Sequence, residues 1–251
     1  MRGEPRIGEI VGQLDRLVSV EGADVLFTIG DFWESPIAGY RHDVLFLATP
    51  AGYLRFGIEF LKTAVSPTKG KGPYGDKVPL ELDYMLRQDS DLSLECELIG
   101  RDPTRRPVGP PGAESFDWEV ASPPAGREVM ALLRELDRLV PAVHAEILIT
   151  VPEDWFPRFP MQGTREGFLR FGLEFAKGGI ISGSGKGRNR GEVVVLDLDY
   201  LFARETAVMF NCERVAALPE RGDRRRGDIG MPGILVPIAL VAVLLVAVRV
   251  C

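Results

Sequence analysis

Two sets of ionisable residues stand in the same order at two places in this 251-residue chain. "GYLRFGIEFLK", starting at Gly52, carries Arg55 and Glu59, and "GFLRFGLEFAK", starting at Gly167, carries Arg170 and Glu174. Downstream of each, "LELDYML" holds Asp83 and "LDLDYLF" holds Asp199. The strict alternation in the first motif predicts a strand, with Leu54, Phe56, Ile58 and Phe60 on one face and Arg55, Gly57 and Glu59 on the other. Asp83 and Asp199 point away from the apolar residues of their own predicted strands and so join that polar face. Arg, Glu and Asp repeated on a sheet can grip an anionic or peptide ligand, or carry out acid–base work. The competing reading is a set of cross-strand salt bridges, each contributing about 0.2–1 kcal/mol, and the residue types alone favour it.

Lys71 in "SPTKGKGPYGDK" and Lys186 in "GGIISGSGKGRNRG" sit in Gly-rich loops that suggest phosphate binding at first sight. A phosphate-binding P-loop needs GxxxxGK followed by Ser or Thr at the start of a helix. Counting back from Gly185, Ile180 stands where the first glycine is needed, and Gly187 replaces the hydroxyl after Lys186. Both segments therefore read as basic hairpin loops and, being repeated, as candidate recognition edges. Trp33 in "GDFWESP" and Trp155 in "PEDWFPRFP" follow the first strand of each repeat, as aromatic anchors for a partner or as caps on the core.

Cys96 and Cys212 correspond between the repeats and read as buried small hydrophobes, while Cys251 is left without a role. No HExxH, GxSxG or paired CxxC occurs, so no catalytic residue, metal site or cofactor is predicted.

The elements that must position these residues also come twice. "LDRLV" at Leu14 recurs at Leu136, and "LECEL" around Cys96 corresponds to "FNCER" around Cys212. A common order over more than eighty residues reads as a tandem duplication. Each unit opens with an amphipathic helix, marked by Ile7, Ile10, Val11, Leu14, Leu17 and Val18 in one and by Val129, Leu132, Leu133, Leu136 and Val140 in the other. A strand follows ("DVLFTI", "AEILITV"), then the motif strand, then a hairpin of two more. "DVLFLAT" at Asp43 is an extra strand in the first unit.

The predicted class is α+β, built from two helix-plus-antiparallel-meander units. The first covers residues 1–100 and the second 127–218, joined by a Pro/Gly-rich linker at 101–126 in which "FDWEV" suggests a short strand. This layout is loosely similar to the small bacterial immunity proteins of toxin systems.

After a basic stretch at 219–228, residues 229–250 form a long apolar run, long enough as a helix to cross a hydrocarbon core of roughly 30 Å. Four arginines precede it (Arg221, Arg224, Arg225 and Arg226) and only Arg249 stands at its far end, after a charge-free stretch from Ile229 to Val248, which places the preceding domains in the cytoplasm of a single-pass, tail-anchored protein. "LPERG" at Leu218 has a sorting-signal flavour but lacks the usual threonine, and no export signal opens the chain.

The net charge is −6, and the final 33 residues hold five arginines against three acids, so the first 218 carry −8. That excess of acid excludes general nucleic-acid binding, which needs a basic face. The expected partners are another protein and, through residues 229–250, a lipid bilayer. The leading reading is a non-enzymatic binding module; the alternative is a membrane-linked sensor or enzyme that uses the repeated Arg, Glu and Asp.

Overall fold

The computed structural model describes residues 4–35, 39–91, 93–100, 118, 126–150, 158–181, 183–187, 189, 191–203 and 206–219. Residues Met1–Leu218 form one compact unit. Among the described residues the protein is α+β, with four helices and two mixed four-stranded sheets. The first repeat supplies α1 (Glu4–Leu17), β1 (Val25–Ser35), β2 (Gly39–Ala48), α2 (Pro50–Val65), β3 (Asp76–Lys77) and β4 (Ser93–Leu98). The second supplies α3 (Gly126–Leu139), β5 (Ile147–Ile149), β6 (Arg158–Gly163), α4 (Arg165–Gly178), β7 (Glu192–Val194) and β8 (Val208–Arg214).

The repeated motif is a helix, not a strand: "GYLRFGIEFLK" lies within α2 and "GFLRFGLEFAK" within α4. The alternation of large residues misleads here because every residue from Gly52 to Leu61 is buried. A helix buried on all sides has no polar face to impose a 3.6-residue period. Each helix is nucleated by a threonine cap: Thr49 Oγ1 accepts from the Gly52 amide and Thr164 Oγ1 from the Gly167 amide, both at 3.0 Å. The same hydroxyls donate back to the Gly22 and His144 carbonyls, which ties each helix start to the turn after α1 or α3. Pro50 occupies the first turn of α2, where its missing amide hydrogen costs nothing.

The two repeats do not each build a sheet of their own. One sheet runs β1-β2-β8-β7 and the other β3-β4-β6-β5, so each takes two strands from each repeat. The joins are parallel, β2 to β8 and β4 to β6, whereas a meander would be antiparallel throughout. The extra strand expected at Asp43 is β2, and it has a counterpart in the second repeat, β6, whose "RFPMQG" lacks an obvious strand pattern. The hairpin partners expected at "VPLELDYML" and "EVVVLDLDYLF" are mostly irregular, with one short turn each at 83–85 and 199–201; only Glu192–Val194 is strand.

α2 and α4 cross at Gly57 and Gly172. A Cβ on Gly57 would lie 2.4 Å from the Gly172 carbonyl oxygen, and one on Gly172 would lie 2.5 Å from that of Gly57. Only hydrogen fits at either point, which accounts for the glycine in both motifs. Around the crossing, Phe56, Phe60, Phe171 and Phe175 pack in tilted and edge-to-face pairs, and Phe46 from β2 and Phe210 from β8 meet Phe175 edge to face. α1 and α3 lie on the far side, linked by a bidentate Arg6–Glu135 pair.

Among the described residues no helix is long and apolar enough to cross a membrane; the expected span at 229–250 lies outside them. The rest of the "FDWEV" stretch also lies outside them, and Trp118 itself sits in a turn.

Candidate functional site

With the motifs helical, Arg55, Glu59 and Lys62 fall at i, i+4 and i+7 and form one stripe along α2; Arg170, Glu174 and Lys177 do the same along α4. Each stripe faces the helix that opens its repeat. Arg55 Nη1 donates to Asp15 Oδ1 at 3.1 Å and to the carbonyls of Asp15 and Val18, which the end of α1 leaves without helical partners. Lys62 Nζ lies 3.4 Å from Asp15 Oδ1 and 3.0 Å from Glu59 Oε1. Tyr84 closes the set: its hydroxyl donates to Glu59 at 2.9 Å and accepts from Arg55 Nε at 3.1 Å.

The second repeat brings the same five residue types together, except that, among the described residues, Arg170 Nε is buried without a hydrogen-bond partner where Arg55 Nε reaches Tyr84. Arg170 Nη1 donates to Asp137 Oδ1 at 2.7 Å, and its Nη2 donates to the carbonyls of Asp137 and Val140. Lys177 Nζ lies 3.2 Å from Asp137 and 2.9 Å from Glu174, and the Tyr200 hydroxyl donates to Glu174 at 3.1 Å. Asp15 and Asp137 are the aspartates of the repeated "LDRLV"; Tyr84 and Tyr200 are the tyrosines of the repeated "LDY". These four residues escape a search centred on the motif, although their repetition was visible in the sequence.

The acidic neighbours singled out from the sequence do not join. Asp83 and Asp199 lie in turns and are exposed, so the predicted shared polar face with Arg55 and Glu59 does not form. The reason is again the helical motif: it is the next residue, tyrosine, that turns inward.

Burial decides the electrostatics. It pushes the Glu174 carboxyl above the usual range, against the opposing pull of Lys177 and the Tyr200 hydroxyl. Tyr84 and Tyr200 are both raised, first by burial and then by the adjacent carboxylates. Burial lowers the Lys62 ammonium, but Glu59 and Asp15 together outweigh it and leave a net rise. Each network carries two cations and two carboxylates, so its formal charge is zero. Each carboxylate lies within ion-pair distance of a cation of its own network.

The glycine-rich loops have an occupant of their own. Glu97 of β4 is buried, and its Oε2 accepts from the amides of Tyr74 and Gly75, both at 2.9 Å. Glu213 of β8 is buried in the equivalent place, with Oε2 accepting from the Asn189 amide at 3.0 Å. A Cβ on Gly72 or Gly187 would collide with the respective carboxylate. The inward amides thus hold a protein carboxylate where a phosphate loop would hold its anion. Lys71 is largely exposed and pairs with Asp76 at 2.5 Å; Lys186 is exposed too.

Cys96 and Cys212 are free and buried; burial raises both thiols, that of Cys212 to about 12, so neither is a ready nucleophile. Trp33 lies in β1, opposite Arg41 in the backbone register, and Trp155 lies outside the described residues. Among the described residues no group of three or more His, Cys, Asp or Glu could hold a metal ion. The chain matches no protein-family model, no curated protein and no solved structure.

Proposed function

We propose that this chain is a non-catalytic protein-binding module, tethered to a membrane through residues 229–250 with its preceding domains in the cytoplasm. The observation that carries the non-catalytic part is the mutual neutralisation of the repeated charges: Arg55, Glu59, Lys62 and Asp15, like Arg170, Glu174, Lys177 and Asp137, bond to one another. An enzyme or sensor built on the repeated Arg and Glu would need them facing a ligand. The membrane tether rests on the apolar run and the arginines before it.

In this reading the repeats descend from a tandem duplication, with units at 1–100 and 127–218, a linker at 101–126 and a basic juxtamembrane stretch at 219–228. The shared order of cap, helix, charge stripe, glycine loop and buried glutamate supports it.

Native mass spectrometry on the full chain, extracted gently in detergent from its source cells, tests the reading. A polypeptide retained in fixed stoichiometry is the expected result. A retained small molecule would overturn it in favour of the sensor, and an empty chain would overturn it outright. Recovery of the chain in the soluble fraction after alkaline carbonate washing of membranes would remove the tether.

A further inference from the structure

The structure points to a docking site on the first repeat, which we propose takes a tryptophan-bearing segment of a partner polypeptide through Asp15, Leu17, Val20 and Tyr84. The inference deepens the binding reading above and rests on it.

The chain contains a worked example of the contact. In the second repeat Trp118, from the segment between the repeats, packs against the core and donates its indole N–H to Asp137 Oδ2 at 3.3 Å. The other oxygen of Asp137 is taken by Arg170 and Lys177. In the first repeat Asp15 meets both of its cations, Arg55 and Lys62, through Oδ1. Among the described residues nothing donates to Asp15 Oδ2. The acceptor that Trp118 satisfies in one repeat is therefore open in the other.

The surroundings differ in the same sense. Tyr200 is 4% exposed, whereas its counterpart Tyr84 is 46% exposed. Leu139 and Ala142 are half-buried, whereas the matching Leu17 and Val20 are 42% and 55% exposed. An apolar and aromatic rim beside one rigidly held acceptor is the setting that suits an interface anchor.

The charge balance selects the donor. The network around Asp15 is already neutral, so an incoming ammonium or guanidinium would add an unbalanced charge, while an aliphatic side chain would bury the oxygen unsatisfied. Indole brings a large apolar surface and a single neutral N–H with no acceptor.

The probe is a fluorescein-labelled peptide copying residues 113–121, "AESFDWEVA", titrated into the full chain and followed by fluorescence anisotropy. Saturable binding is expected, and it should weaken at least tenfold when alanine replaces the peptide's tryptophan. The same loss is expected for Asp15→Asn, which keeps a carbonyl for Arg55 but puts an amide donor where the indole needs an acceptor. Leu17→Glu, at an exposed position that leaves folding intact, should weaken binding as much. Val143→Glu, on the exposed surface of the second repeat, should leave it unchanged.

Absence of saturable binding overturns the site, and so does binding indifferent to both Asp15→Asn and Leu17→Glu. The two proposals fail separately. A partner in native mass spectra without peptide binding removes this site alone; peptide binding without a cellular partner removes the proposed function alone.

Discussion

The two charge networks use the same five residue types on the same scaffold, yet the aspartate, lysine and tyrosine are more exposed in the first than in the second. In the second repeat the Lys177 side chain is 5% exposed and Asp137 18%; in the first, Lys62 is 31% and Asp15 35% exposed. Trp118 makes the visible difference among the described residues: its indole N–H reaches Asp137. A closely similar local sequence can therefore produce ion clusters whose aspartate and lysine differ in exposure, depending on whether a neighbouring side chain covers them. The energetics should follow. A buried ion pair gains little overall but costs much when one partner is removed, because the other charge stays buried.

The largest test of this contrast is the paired removal of the aspartates. Asp137→Ala leaves Arg170 and Lys177 with one fewer counterion inside the protein and should cost about 3–5 kcal/mol in urea unfolding. Asp15→Ala leaves the partly exposed Lys62 to water and Arg55 still donating to the Asp15 and Val18 carbonyls, and should cost about 1 kcal/mol. Equal losses would break the comparison.

Removing the cover comes next. Trp118→Ala should destabilise by about 1–2 kcal/mol through lost apolar burial. It should also convert the second network into a copy of the first, so the indole peptide then binds at two sites per chain. An unchanged stoichiometry would mean that Trp118 is not what closes the second site.

The tyrosines give a smaller, parallel difference. Tyr200→Phe removes a buried donor from a buried carboxylate and should cost about 2 kcal/mol, against about 0.5–1 kcal/mol for the half-exposed Tyr84→Phe. Thermal or urea unfolding of the two variants checks the order.

The smallest effect is a dependence on pH. The Glu174 carboxyl is raised in the folded protein by burial, so its contribution to stability is fully present below its unfolded value near 4.5 and is lost as pH rises through the folded value. Glu174→Gln cannot lose a proton. The stability difference between variant and parent should therefore move in favour of glutamine between pH 4.5 and neutrality, and a difference flat across that range would contradict the burial account.

Much of the site was legible in the sequence as pairs of residues but not as geometry. Repetition marked Arg55, Glu59, Arg170 and Glu174, and they do lie at the centre of the networks. Asp83 and Asp199 repeat as faithfully, yet each lies in an exposed turn. Repetition records that a residue type recurs at matching positions and does not say which way its side chain turns. The threonine before each motif, with Pro50 after the first, was the local sign of a helix start that the apolar alternation concealed.

The sequence by itself determined the α+β class, the positions of α1 and α3, the two-fold repetition and the lack of a known catalytic signature. Each of these follows from local spacing or from comparison of the chain with itself. Tertiary structure decided the helical state of the central motif, because a segment buried on every side carries no periodic contrast between water and core. It also decided the exchange of strands between the sheets, since parallel pairing across more than a hundred residues leaves no local mark. Last, it decided which charge network is covered, because that depends on where one tryptophan outside both motifs comes to rest.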